Sequence, residues 1–398
     1  MQLNISSSSW WGPPKKFDRP KEDRRVSWLE LFYDLVYVIA ISRITNHLSM
    51  DISLVGFLEY ILLFILIFWG WLNGSLHHDL HGNEGLRTRL MTLWQMMIIA
   101  ALAVVIDQLQ GKSYFYIIVV FMIMQLFITY MWWSVGFYDR SHRKYNKPYT
   151  VLYLIALALM GLSLFVPLKW QKLIFPVILL CNYAPPFVSQ RLLRHDSSDL
   201  NLSSSMFERL GLFAIIVFGE VALGVVNGIS KTQISEFSNW LNFALAISTV
   251  FALWWIFFTL VAQREAKNGF VNATLLELLY IPSLISLGLI AASFTNFFDI
   301  QNEMPLQKLG YAITTFLICI CLIMELLVFP GKILSLKVPV QVSLLITAIL
   351  FFVSTFVNID FNRTYYLASV TLILLVEIIY LNSMYYKMIA KEKSESAT

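Results

Sequence analysis

The sequence predicts an all-α, multi-pass membrane protein of about twelve transmembrane helices, arranged as two parallel six-helix halves. Three observations predict it. Of the 398 residues, 58% are hydrophobic and only 14% charged, where soluble domains run at about 45–50% and about 25%. Apolar runs long enough to cross a bilayer core, roughly 18–25 residues each, recur twelve times along the chain. The basic residues alternate between successive connections instead of spreading evenly. This composition excludes a soluble enzyme, a disordered chain and a nucleic-acid-binding domain. Cys181, Cys319 and Cys321 all lie within apolar runs, so neither a disulfide framework nor a zinc-finger spacing is present.

In chain order the runs fall at 27–47, 52–72, 89–109, 113–134, 149–167, 172–190, 206–226, 237–261, 274–295, 306–329, 338–357 and 365–388. The first opens with Ser27-Trp28-Leu29-Glu30 and the seventh with Ser205-Met206-Phe207-Glu208. Both read as capping boxes, in which serine and glutamate satisfy the free amides of a helix start. Pro185-Pro186 in the sixth run and Pro282 in the ninth predict kinks. The first run lacks a small-residue cleavage site and carries Glu30 and Asp34, so it reads as a span and not a signal peptide.

With the N-terminus in the cytoplasm, 21 of the 29 basic residues fall on cytoplasmic segments, six on the opposite face, and Arg43 and Arg209 within spans. That asymmetry satisfies the positive-inside rule with both termini cytoplasmic. Trp28, Trp69, Trp71, Trp94, Trp132, Trp133, Trp254 and Trp255 fall near cytoplasmic span ends, as an interfacial belt would. The organisation expected is a basic cytoplasmic tail (1–26), a first six-helix half (27–190), a cytoplasmic linker (191–205), a second half (206–388) and a short, mobile cytoplasmic tail (389–398). The matching starts of the first and seventh spans support a repeat. Six is an even number, so both halves point the same way about an axis along the membrane normal, which brings those two spans to the centre.

Two stretches carry a resemblance. The run Ser27-Trp28-Leu29-Glu30-Leu31-Phe32-Tyr33-Asp34-Leu35-Val36-Tyr37-Val38 resembles the opening signature of the low temperature requirement A (LtrA) family of bacterial membrane proteins. Glu208-Arg209-Leu210-Gly211-Leu212-Phe213-Ala214-Ile215-Ile216-Val217-Phe218-Gly219-Glu220 is similar to its second. The likeness extends from about Arg25 to the last span. Family members often carry a histidine three residues before the second signature's glutamate, where this chain has Ser205. The resemblance implies a multi-pass protein of the bacterial cytoplasmic membrane; the family name describes growth in the cold and supplies no biochemical activity.

Function is expected where charge persists inside the bilayer, at about 2.5–3.5 kcal/mol per group at a helix centre. Glu30 and Asp34 stand four residues apart and share one helix face. Arg209 follows Glu208 in the seventh span, and Glu220 lies roughly 18 Å beyond Glu208 at the helical rise. These residues, with Gly219 beside Glu220, are the expected solute or ion path. The alternative is structural: Glu30 and Glu208 as capping acids, Arg209 as their counter-ion, and Gly211, Gly219 and Gly224 as sites of close helix packing. Arg43, near the outer interface, is expected to snorkel. His77 and His81, in a polar loop after the second span, are weak metal candidates.

No phosphate-binding loop, nucleophile elbow, zinc-protease motif or dinucleotide fingerprint occurs, and no cofactor is implied. The expected partners are the lipid bilayer and a small solute or ion, with no nucleic acid. A permease-like role comes first, a cold-adaptation sensor or scaffold second, and a membrane-embedded enzyme acting on lipids third; the sequence leaves oligomeric state and substrate open.

Overall fold

The computed structural model describes residues 26–82, 85–107, 114–138, 143–192, 203–232, 236–262, 267, 270–298, 306–329, 334–356 and 362–395. Among them helices supply all the regular structure and no strand occurs. The basic N-terminal tail through residue 25, linker residues 193–202 and the last three residues lie outside the described residues.

The helices are α1 (Trp28–Met50), α2 (Leu54–His81), α3 (Leu86–Asp107), α4 (Phe115–Tyr138), α5 (Arg143–Ser163), α6 (Leu168–Tyr183) and α7 (Pro185–Leu192), followed by α8 (Ser204–Ile229), α9 (Phe237–Phe257), α10 (Phe270–Phe297), α11 (Leu306–Leu327), α12 (Leu334–Phe356) and α13 (Arg363–Glu395). Among the described residues nine are long and apolar enough to cross a membrane, and α6 with α7 makes a tenth if the bent pair is one span. The protein is therefore a multi-pass membrane protein. Both α1 and α5, at 23 and 21 residues, are long enough to span, but their charged and polar residues keep them outside that set. The expected count of twelve is thus not reached on apolarity alone.

Local chemistry explains the breaks. Pro185 supplies no amide, so α6 ends at Tyr183 and α7 restarts at a 48° bend, as the proline pair predicts. Pro282 is absorbed into an unbroken α10, where the Ser286 hydroxyl donates to the Pro282 carbonyl at 2.7 Å. Five residues of π-helix, Phe258–Ala262, follow α9. Residues 389–395, expected in a mobile tail, continue α13 as helix.

The chain forms two compact units. One holds the chain through His47 with Ser53–Arg209; the other holds Leu48–Ile52 with Leu210 onward. In the first, α2 is the hub. Trp69 Nε1 donates to the Asn182 carbonyl on α6 (2.9 Å), and Tyr183 returns a bond to Ile65 O (2.9 Å). Tyr153 of α5 donates to Asn73 (2.5 Å), whose own amide reaches Trp69 O. Trp132 of α4 stacks on Tyr149 of α5 at 4.2 Å. The expected aromatic belt is thereby corrected: Trp28, Trp94, Trp133 and Trp255 are exposed, but Trp69, Trp71 and Trp132 are core residues. Trp69 and Trp71 satisfy their indole N–H in the core, whereas Trp132 Nε1 is buried without a hydrogen-bond partner and the ring is held by its stack on Tyr149.

In the second unit Thr249 on α9 meets Thr371 on α13 at 2.9 Å. Glu377 of α13 is buried and accepts hydroxyls from Ser343 and Thr347 of α12, both at 2.9 Å. Gly224 and Gly228 of α8 let α10 approach closely: a Cβ on Gly224 would collide with the Ala291 carbonyl, and one on Gly228 with that of Phe294. At Gly219 a Cβ would meet nothing within 4 Å, so the expected close packing is found at Gly224 and not at Gly219. Gly224→Val is therefore expected to cost about 1–3 kcal/mol by overpacking, read as a lowered unfolding temperature in detergent, whereas Gly219→Ala leaves it unchanged. Equal tolerance at both positions would contradict this packing.

Candidate functional site

The start of α1 forms as its sequence predicts. Ser27 N–H donates to Glu30 Oε2 (2.9 Å), and Glu30 N–H donates to Ser27 Oγ (3.3 Å). The Ser27 hydroxyl adds a third bond to the same carboxylate oxygen (2.8 Å). This leaves Glu30 Oε1 to face Arg209 Nη1 at 3.5 Å and His78 Nε2 at 3.6 Å. The structural and charge-pairing readings of Glu30 are both correct, one for each oxygen.

One turn on, Asp34 is fully buried. Arg209 Nη2 donates to its Oδ1 at 2.5 Å and Nε to its Oδ2 at 3.3 Å. The Trp71 indole N–H from α2 also donates to Oδ1, at 2.7 Å. The guanidinium carbon lies 5.6 Å from the Tyr33 ring centre and 5.8 Å from that of Trp71. A two-pronged guanidinium–carboxylate bond and two π faces replace the water that both ions have lost. Glu30, Asp34 and Arg209 are thus brought together inside the first unit.

Glu208, expected beside them, is exposed on α8. The capping box predicted there is corrected: Ser203 is the cap, its Oγ accepting from the Met206 amide at 3.0 Å. Ser203 and Ser205 donate to Asp79 Oδ2 and Oδ1, at 2.6 and 2.7 Å. The helix begins before Ser205, so Glu208 sits too far along to reach the cap. The Ser205 hydroxyl, with that of Ser203, anchors the start of α8 to the end of α2. Gly219 and the half-buried Glu220 lie in the second unit.

The segment 77–81, expected as a solvated loop, is the last turn of α2. Only Gly82 ends it, donating its N–H to His78 O at 2.8 Å. His81 is buried, and the His77 and His81 rings, 5.5 Å apart, both meet Trp132 edge-on. Among the described residues no group of three or more His, Cys, Asp or Glu is disposed to hold a metal ion.

Between α2, α3 and α4 lies a cavity of ≈ 30 Å³, lined by the three histidines with Arg87, Thr88 and Gln95, and completed by Gly74, Met91, Thr92 and Met131. It adjoins the charge cluster: His78 lines it and faces Glu30, and Gly74 leaves room for both the Tyr33 hydroxyl and Gln95. Trp71, His78, Arg87 and Gln95 are not legible as site residues in the sequence. Trp71 looks interfacial by position, and Arg87 reads as one more loop charge. Arg43, at the far end of α1, forms a half-exposed ion pair with Asp107 (3.1 Å).

Removing one partner of a buried ion pair leaves the other charge stranded, at about 3–5 kcal/mol. Arg209→Met is therefore expected to lower the unfolding temperature sharply, Glu208→Gln to leave it unchanged, and Asp34→Leu/Arg209→Met to recover much of the single-variant loss. Additive losses in the double variant would contradict the pairing.

Comparison with known proteins bears on the family of the chain. A protein of Rhizobium meliloti (strain 1021), described as uncharacterized, is 23% identical over 278 residues. That match covers 62% of this chain and 62% of the relative. The family model for the bacterial low temperature requirement A protein (LtrA) matches residues 25–379, spanning the Ser27–Glu30 box, the Asp34–Arg209 pair and nearly every helix. The chain belongs to the LtrA family.

Proposed function

We propose that the protein is a permease-like carrier of a small solute or ion, with α1 and α5 as further spans to make twelve and both termini in the cytoplasm. The carrying observation is the set of ionisable groups kept inside an apolar bundle: Glu30, Asp34 and Arg209 are 2%, 0% and 1% exposed, and a cavity adjoins them. Charge buried at this cost marks substrate and ion pathways in membrane proteins. In this reading the Asp34–Arg209 bond is a gate that a second arrangement of the bundle opens. Glu30, with one oxygen fixed by the cap and the other facing His78, passes the change in pairing towards the cavity. Binding energy biases such a two-state element only if the solute interacts differently with each state.

A second reading, sensor or scaffold, draws on the same geometry. Asp34 already receives three hydrogen bonds, which suits a static brace.

Access separates the two without a known substrate. In a variant with all three native cysteines replaced, Gln95→Cys places a thiol in the cavity. The carrier reading predicts labelling by a membrane-impermeant maleimide in both right-side-out and inside-out vesicles, with Asp34→Asn shifting the ratio between them by several-fold. Labelling from one side only, unchanged by Asp34→Asn, supports the brace and contradicts the carrier.

A further inference from the structure

We propose that the cavity between α2, α3 and α4 is a binding site for a small anion, held chiefly by Arg87. Arg87 is 7% exposed, and its partners are the Ser134 hydroxyl (Nη2 to Oγ, 2.9 Å) and the ring of Tyr138 (5.1 Å). Its Nη1 is buried with no hydrogen-bond partner, and among the described residues no carboxylate pairs with it. A guanidinium taken out of water and left unmatched is costly. This arrangement is sustained when a mobile anion supplies the missing charge.

The walls point the same way. None of the cavity's lining residues is acidic; they include three imidazoles, two threonine hydroxyls and an amide. Among the described residues Asp79, Asp34 and Glu30 are engaged elsewhere. Asp79 holds Ser203 and Ser205, Asp34 holds Arg209, and Glu30 caps α1 while facing Arg209 and His78. Gln95 spends its amide N–H on the thioether of Met131 at 3.2 Å, a weak acceptor that an anion would displace. Arg87 and Thr88 stand in the first turn of α3, where the helix dipole adds to the attraction.

Size narrows the class. A cavity of ≈ 30 Å³ has room for about two water-sized groups, which admits halide, formate or nitrate and excludes nucleotides and sugars. The site does not depend on the carrier reading, since an anion bound there serves a transported solute, a coupling ion or a structural counter-ion equally.

The test uses the full chain in nanodiscs, without any gradient, so failure of transport leaves it unaffected. Unfolding temperature is followed while sodium chloride, formate or nitrate replaces sodium gluconate at constant ionic strength. The expected result is a saturable rise with at least one small anion, as binding to the folded state requires, retained in the exposed control Arg89→Gln. Arg87→Gln is expected to remove the saturable rise and to match or exceed the wild type in gluconate, because the unmatched charge is gone. A merely structural Arg87 would instead destabilise the protein in every salt. Should Arg87→Gln fail to fold, Arg87→Lys, which keeps charge but loses the fork, is expected to raise the midpoint at least tenfold. No saturable rise in the wild type, or an unchanged midpoint in the folding Arg87 variant, overturns the proposal.

Discussion

A buried guanidinium held between two carboxylates organises the first unit. Arg209 enters from α8, Asp34 and Glu30 from α1, and the Trp71 indole from α2. An unpaired ion at this depth is costly, so these three helices are bound to arrive together or not at all. The head of α8, fastened to α1 through Arg209 and to Asp79 by two hydroxyls, belongs to the first unit.

Around that pair the polar groups form a graded set. The acids of α1 are saturated, with hydrogen bonds from an arginine, an indole and a capping serine. His78 borders them and opens on the cavity. Beyond it the walls are rich in donors, and Arg87 has a guanidinium nitrogen to spare. Among the described residues the two acids of α1 are therefore paired within the protein, whereas Arg87 at the cavity pairs with no carboxylate.

Much of this is legible in the amino-acid sequence alone. Ser27 and Glu30 stand at capping-box spacing and form that box, and Arg209 is a visible counter-ion for acids in the first span. The hidden parts have physical causes. Glu208 shares the box spacing with Ser205, yet the cap is Ser203, and a shift of two residues turns the glutamate out to the surface. His77–His81 reads as a loop because a span is expected to stop near the bilayer edge. Nothing before Gly82 breaks the helix, so α2 continues through 28 residues. Arg87 and Trp71 are hidden by their position, since cations and indoles near span ends are ordinarily interfacial. Only the packing of α3 against α4, and of α2 against α1, turns them inward.

Asp34 is bonded to Arg209 inside the bundle, and the charge cluster of α1, α2 and α8 is built on that pair. Infrared spectroscopy of protein carrying isotope-labelled aspartate, with the Asp34 band identified by its loss in Asp34→Asn, tests this directly. A carboxylate band for Asp34 in the wild type, replaced by the carbonyl band of a neutral acid in Arg209→Met, is the predicted result. A neutral-acid band already present in the wild type would contradict the ion pair and the organisation built on it.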